Sequence, residues 1–428
     1  MMPQTGNGAQ GSAAPDLAAP AVRVRMYDVG FGDAFLVLIP DGTGTRKVLF
    51  DCGSIAQGSA SMVEVTRRIV QDVTDPDGTA RIDVVVMSHR HRDHVSGFAQ
   101  PVWDQVEVHE VWMPWTEDPK DPLAREIREA QSRLAVHLDR AIQARLAAVG
   151  PGTAEEARIA PFGEMAMNAL ANEEAMRTLH EGFAGRPRRR FLPTLKPDES
   201  TFETPALPGV IIYVLGPSRD QNVIAQMDPP AGRSYLRLAE DEAEAKGTPE
   251  PFNPSWWVTE KEYAANLEWQ HLLTPAGDRS KIRELNADRE GVVAATLDGS
   301  VNGTSLMLVL HVGKAHLLFP GDAQWGTWRV AMSNPDLRAL MKRAVFYKIG
   351  HHGSHNATPK EFVEDILSTD VWTMASTRTR GTWPIPKSEL MAALAERTHL
   401  IARSDQFGQV GADFTVEGNS YIECAIQL

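Results

Sequence analysis

Cysteine is nearly absent: Cys52 and Cys424 are the only two in 428 residues. That argues against a disulfide framework and fits a reducing compartment. Long apolar runs are missing as well; none approaches the ~20 residues that a membrane-spanning helix needs. Positive charge is in short supply. Lys and Arg number 43 against 56 Asp and Glu, for a net charge of −13. No overall attraction to nucleic acid or an anionic membrane is therefore expected, although a local basic site is left open. Residues 1–20 are rich in Gly, Ala, Pro and Gln and lack the basic and apolar stretches of a signal peptide. Residues 1–21 read as a disordered leader, and the protein is expected to be cytoplasmic with no membrane partner. The length suits one α/β core over 22–428, carrying insertions, better than two large domains.

What the chain does have is histidine beside strands. Ile82 to Met87 is an apolar run that reads as a buried strand, and His89, His91, Asp93 and His94 follow directly. On an extended strand end, residues two apart point the same way, so His89 and His91 can hold one cation. The chain then turns, and Asp93 and His94 can reach a second cation beside the first. Imidazole and carboxylate suit Zn²⁺, Mn²⁺ or Fe. A polar loop with solvent-facing histidines would be the better reading of a lone histidine. It fits poorly with three histidines and an aspartate packed into His89 to His94 at the mouth of an apolar strand.

Around this cluster the pattern is strand and helix in alternation. Val22–Met26 and Ala34–Ile39 read as strands flanking Asp28-Val-Gly-Phe-Gly-Asp33, where glycines permit a tight turn and close backbone approach. Val48–Phe50 leads into Asp51-Cys52-Gly53. Locally this is an ordinary turn, and Cys52 reads as a small packed residue rather than a nucleophile. Ser61–Val73 has helical spacing; Val106–Met113 reads as a strand with His109 structural inside it. Ala124–Val149 is a long amphipathic helix and Glu164–Leu179 a further one, within an insertion placed at about 119–209. Arg186 to Arg190 is a basic knot, read as a solvated loop in preference to a phosphate contact. Val210–Leu215 returns to the core. About 220–290 is polar and interrupted by prolines, with Trp256-Trp257 as an anchor; it reads as a long loop or helical lid. Leu306–His311 and His316–Phe319 form a hairpin ending in Gly321-Asp322. Val345–Ile349 is a strand that delivers Gly350-His351-His352-Gly353-Ser354. Helix Pro359–Leu367, strand Val371–Ala375, helix Pro386–Glu396 and strand Leu400–Arg403 follow. The last strands, Gly411–Val416 and Tyr421–Leu428, are expected to complete a second sheet.

His-x-His-x-Asp-His at His89–His94 resembles the metal motif of the metallo-β-lactamase superfamily. Asp28-Val-Gly-x-Gly-Asp33, His351-His-Gly-Ser354 and the Arg403-Ser-Asp-x-x-Gly408 close narrow the likeness to the ComEC-like branch, found in DNA-uptake proteins and related phosphorylcholine esterases. The resemblance covers roughly 22–113 and then 210 onward. It implies a four-layer αββα sandwich with a helical insertion. It also implies that Asp51 supports the metal loop by hydrogen bonding and that Asp33 lies near the metals, on the far side or the substrate side. Asp322 would bridge two divalent ions, with zinc favoured over manganese or iron. His352 is assigned to the second ion by position, leaving His351 to contact substrate or move a proton; the reverse assignment stays open. The superfamily usually supplies one more histidine before the bridging aspartate. Here Asn302 or a neighbour holds that place, which leaves the first ion short of a ligand and its site weak. His180 or His271 from the insertion would be substitutes, though nothing around them argues for it. A histidine usual before the last helix is also missing at Pro384-Ile385-Pro386.

The expected function is hydrolysis of a phosphodiester, nuclease-like or on a nucleotide or small phosphoester, by a hydroxide held between two cations. The rivals are β-lactam, lactone or thioester cleavage on the same metals, and a non-catalytic interaction domain that binds a protein partner through the insertion.

Overall fold

Alternation along Ala21–Tyr27 puts Val22, Val24 and Met26 on one face and directs Tyr27 to the other. The same two-sided pattern recurs at the end of Arg81–Val86, where Val84 and Val86 face inward while Val85 faces outward. Strands buried on both faces need cover on both, and this requirement sets the layering. The computed structural model describes residues 20–170, 172–194, 200–230, 232–235, 289–378 and 385–428. Most of the expected leader and lid, with Trp256, Trp257, His271 and Pro384, lies outside the described residues.

The strands are β1 (Ala21–Tyr27), β2 (Phe35–Pro40), β3 (Thr45–Phe50), β4 (Arg81–Val86), β5 (Glu107–Pro114), β6 (Arg188–Leu192), β7 (Thr201–Thr204), β8 (Leu207–Gly216), β9 (Met307–Val312), β10 (Ala315–Phe319), β11 (Ala344–Lys348), β12 (Trp372–Ala375), β13 (Ile401–Arg403), β14 (Thr415–Glu417) and β15 (Tyr421–Gln427). One mixed sheet runs β14-β15-β1-β2-β3-β4-β5-β6, the other β13-β12-β11-β10-β9-β8-β7. The helices are α1 (Met62–Val73), α2 (Arg92–Val95), α3 (Pro122–Val149), α4 (Ala154–Leu170), α5 (Glu173–Glu181), α6 (Gln221–Ile224), α7 (Arg289–Asn302), α8 (Trp325–Ser333), α9 (Pro335–Lys342) and α10 (Ser388–Arg397).

The central core lies between the sheets: Val24, Val37, Val84 and Trp112 from the first pack with Ile212, Leu310, Leu317 and Phe346 from the second. Phe50 and Phe319 stack across this seam with ring centroids 3.9 Å apart. Outside the first sheet, Val65 and Ile69 of α1 and Leu179 of α5 cover Val85 and Val111. Outside the second, Trp328 of α8, Met341 of α9 and Leu390 of α10 cover Val309 and Tyr347. The result is the four-layer αββα sandwich expected, with a helical insertion whose own small core joins Leu138 and Ile142 of α3, Phe162 of α4 and Leu297 of α7. Among the described residues, no helix is long and apolar enough to cross a membrane.

Four expectations need correction. The last strands do not extend the second sheet: β15 pairs antiparallel with β1 over Ala21↔Gln427 to Tyr27↔Tyr421, and β14 pairs with β15. Local patterning defines a strand but not which sheet edge it joins. The helix expected at Glu164–Leu179 is two, α4 and α5, with Asn172 at the N-cap of α5. The end of the expected lid begins α7, which packs into the insertion. The basic knot, expected as a solvated loop, is in part a strand, with Arg186 and Arg188 exposed. Arg188–Leu192 is edge strand β6, and Arg190 pairs with Glu110 through Nε–Oε2 2.7 Å and Nη2–Oε1 3.0 Å. Arg189 donates to the carbonyls of Leu179, Pro187 and Gly182.

Candidate metal centre

The parallel strands β3, β4 and β5 of one sheet and β10, β11 and β12 of the other carry the site at their C-terminal ends. Crevices at such ends are where open α/β sheets bind ligands. From β4 the chain passes through Ser88 and His89 to His91, the N-cap of the short helix α2, which holds Asp93 and His94. His89 Nε2 and His91 Nδ1 lie 3.0 Å apart, the two-residue strand-end geometry expected. Neighbouring turns fix this loop through the backbone. Asp33 N–H donates to Asp93 O at 2.9 Å, Cys52 N–H to His94 O at 2.8 Å, and Gly53 N–H to Asp33 O at 3.0 Å. Gly53 lies so close that a Cβ there would sit 2.6 Å from the backbone carbon atoms of Asp93 and His94. This is the close approach that the glycines in these turns permit.

The opposite wall comes from the second sheet. Asp322 follows β10, and its Oδ2 lies 3.1 Å from His94 Nε2. Its Oδ1 accepts from His351 N–H at 2.9 Å. After β11 the backbone takes two left-handed residues in succession, His351 (φ 47°) and His352 (φ 53°). That conformation costs non-glycine residues energy and is met mainly at functional sites. It turns His352 Nε2 to within 3.1 Å of Asp93 Oδ2. His351 keeps partial exposure, whereas His89, His91, His94 and His352 are buried.

Each ring is held from behind. Asp51 Oδ2 accepts from His94 Nδ1 at 2.9 Å and from Ser88 Oγ at 2.6 Å; Asp51 Oδ1 accepts from Ser88 N–H at 2.7 Å. Ser88 Oγ also lies 3.0 Å from His89 Nδ1. The Ser376 carbonyl accepts from His352 Nδ1 at 2.8 Å, and the Phe31 ring packs on His352 at 4.4 Å between centroids. These contacts leave the Nε2 atoms of His89, His94 and His352 facing the cluster, the usual arrangement behind metal-bound histidines. Lys348, buried, ion-pairs with Asp33 and lies 3.3 Å from Asp322 Oδ1.

The electrostatics divide the histidines. Burial, aided by the neighbouring imidazoles of His94 and His91, holds His89 well below its usual range. Burial also lowers His91. Both are thereby kept neutral, the form that ligates. Burial opposes charge on His94 too, but the carboxylates of Asp322, Asp51, Asp93 and Asp33 outweigh it and push that imidazole well up. His352 is raised against burial by its hydrogen bond to Asp93 and by Asp33 and Asp322. Asp322 is held well below the usual carboxylate range, where His94 and Lys348 overcome burial. Asp33, Asp51, Asp93 and Asp322 are thus buried around one lysine. Such a cluster is costly unless cations offset it.

The donor set fits divalent metal. Among the described residues, ligand atoms gather within 4.8 Å of one another in the groups His89–His94–Asp322, Asp93–His94–His352 and Asp33–Asp51–His94. His91 touches His89 without belonging to these groups. Its Nε2, Asp93 Oδ1 and Asn302 Oδ1 are buried with no hydrogen-bond partner among the described residues. Orphaned polar atoms of this kind in a buried cluster call for an ion or water. The structure therefore brings together His89, His91, Asp93, His94, Asp322, His352, His351 and Asp33.

Other candidates lie elsewhere. His109 is half exposed, with Nδ1 3.4 Å from Asp83 Oδ1. His180 stacks on Phe191. Burial pushes the Cys52 thiol up, so it is a packed residue and no nucleophile. Reasoning from the sequence missed Lys348, Ser88, Ser376 and Asp298. Lys348 alone had a signal, a charged residue closing the apolar strand before Gly350-His351-His352. No model of a known protein family matches this chain, and no curated protein matches it.

Proposed function

We propose that the protein is a metal-dependent hydrolase of the metallo-β-lactamase type, acting on a phosphodiester through two divalent ions, with zinc favoured. The observation that carries this reading is the convergence of His89, Asp93, His94, Asp322 and His352 from both sheets on one buried, negatively charged cluster. In this reading His89 and His91 would hold the first ion, Asp93, His94 and His352 would hold the second, and Asp322 would serve both. When bound, such ions polarise a phosphoryl oxygen and lower the pKa of water. Asp51, Ser88 and the Ser376 carbonyl orient the imidazoles. Lys348 offsets part of the carboxylate charge. The burial of Asp33 and its pairing with Lys348 favour a supporting place behind the second ion over a substrate-side one. His351 is the partly exposed imidazole of the cluster, with Nδ1 3.2 Å from Asn356 Oδ1. It is suited to give a proton to the leaving oxygen. The phosphodiester class rests on the likeness of Asp28–Asp33 and His351–Ser354 to the ComEC-like branch.

The test is a panel of chromogenic substrates with zinc- or manganese-loaded protein: a phosphodiester beside a β-lactam, a lactone and a thioester. The expected result is phosphodiester turnover that falls by on the order of 100-fold or more in Asp322→Asn, from lost charge stabilisation. Turnover of only a carboxyl derivative would move the substrate class. No turnover, with biological activity intact in Asp322→Asn, would favour the interaction domain.

A further inference from the structure

Three of the four buried histidines of the cluster have their rear nitrogen tied to an oxygen: His89 to Ser88, His94 to Asp51 and His352 to Ser376. His91 is the exception. Its Nδ1 faces His89 Nε2 at 3.0 Å. Its Nε2, on the far side of the ring, is buried and has no hydrogen-bond partner among the described residues. A carboxylate stands opposite that atom, Asp298 Oδ1 at 3.8 Å. Asp298 lies in α7 and is itself held: Asn302 Nδ2, one helical turn on, donates to its Oδ2 at 3.0 Å. Asn302 is fully buried, and its Nδ2 also lies 3.5 Å from His351 Nε2. The pair therefore spans from His91 to His351 along one wall of the cluster. A movement of under about 1 Å would bring Asp298 into hydrogen-bond range of His91.

Resting on the metal-centre reading above, we propose that Asp298 is the positioning residue of the first ion's site. It accepts a hydrogen bond from His91 Nε2–H, fixes the tautomer that presents Nδ1 beside His89 Nε2, and is kept in place by Asn302. The helical insertion would then be part of the metal centre rather than a cover for it. Its other contacts agree, since Asn168 Oδ1 of α4 accepts from Asp93 N–H at 3.3 Å and Asn172 Nδ2 donates to the Arg90 carbonyl. Residues behind a metal-bound histidine typically alter metal affinity by 10- to 100-fold.

The experiment is a zinc titration of the full chain against a chromophoric chelator, comparing wild type with Asp298→Asn and Asn302→Leu. Nitrogen-15 correlation of the His91 ring in zinc-loaded wild type accompanies it. Expected are two equivalents in wild type, one of them weakened by about 10- to 100-fold in Asp298→Asn and less in Asn302→Leu, the other unchanged. His91 should carry its proton on Nε2. Unchanged affinities in both variants, or a His91 proton on Nδ1, would overturn the proposal while leaving the metal centre standing. Failure of wild type to take up zinc would overturn both. The ring measurement needs no variant, so misfolding of a substituted chain does not spare the proposal.

Discussion

Lys348 is the residue on which the charge of the centre turns. Its ammonium is buried between Asp33 and Asp322, and burial, which alone would lower its pKa, is outweighed by these carboxylates so that it stays charged. Removing one partner of a buried ionic group leaves the other uncompensated, at a cost of about 3–5 kcal/mol. Lys348→Met should therefore lower unfolding free energy by about that amount in chelator-treated protein, measured by urea denaturation. The loss should shrink when zinc is added, because a bound cation replaces the missing charge. An unchanged urea midpoint would contradict this account. Lys348 carried only a local signal, a charge closing an apolar strand, because its partners, Asp33 and Asp322, lie far away in the chain. The histidines were legible, because the two-residue period at a strand end fixes His89 and His91 locally. Asp51 was ambiguous as a turn aspartate until His94 and Ser88 were seen to donate to it.

At the scale of elements, Glu110 joins the two sheets at the edge away from β1. It sits on β5, accepts from Arg190 of β6, from Trp112 Nε1 at 2.8 Å, and from Thr204 Oγ1 of β7 at 2.7 Å. Burial alone would raise its carboxyl, but the hydrogen bonds from Arg190, Trp112 and Thr204 prevail and hold it below the usual value. A depressed folded-state pKa gives stability that is present above the unfolded value and lost as pH falls through the folded one. Glu110→Gln should thus be less stable than wild type at neutral pH, and the gap should close as pH falls below the usual carboxylate range. Urea midpoints of the two proteins against pH check this; a constant gap would contradict it. The elements themselves were largely readable. Strands β1, β2, β4 and β5 fall within a residue of their expected bounds, while β3 begins three residues earlier than expected, at Thr45. Helix α7 was hidden because its apolar residues, Val293, Ala294 and Leu297, follow a long polar segment and pack on α3 and α4, which no local pattern reveals. For the same reason Asp298 could not be seen as a partner of His91.

For the whole molecule, the parallel halves of two sheets meet at their C-terminal ends, and the four layers exist to hold that meeting in place. The core between the sheets, from Val24 and Trp112 to Leu310 and Phe346, positions His89, His91, Asp93 and His94 from one sheet against Asp322 and His352 from the other. Any ligand that binds this seam in the folded state alone must stabilise the whole fold. Zinc at ~100 times its dissociation constant should contribute ~2.7 kcal/mol per ion. A chelator should therefore lower the melting temperature by several degrees, and zinc should restore it. An unaltered melting curve would mean that the seam binds no cation. The layering was legible from strands apolar on both faces, while the edge taken by β15 was not, since pairing with β1 joins the two ends of the described chain.

The most direct measurement is X-ray diffraction from zinc-soaked crystals at the zinc absorption edge. The account predicts anomalous peaks at ligand distances of about 2.0–2.2 Å from His89 and His91 and from Asp93, His94 and His352, with Asp322 common to both. Peaks confined to surface residues, or none at this seam, would contradict it.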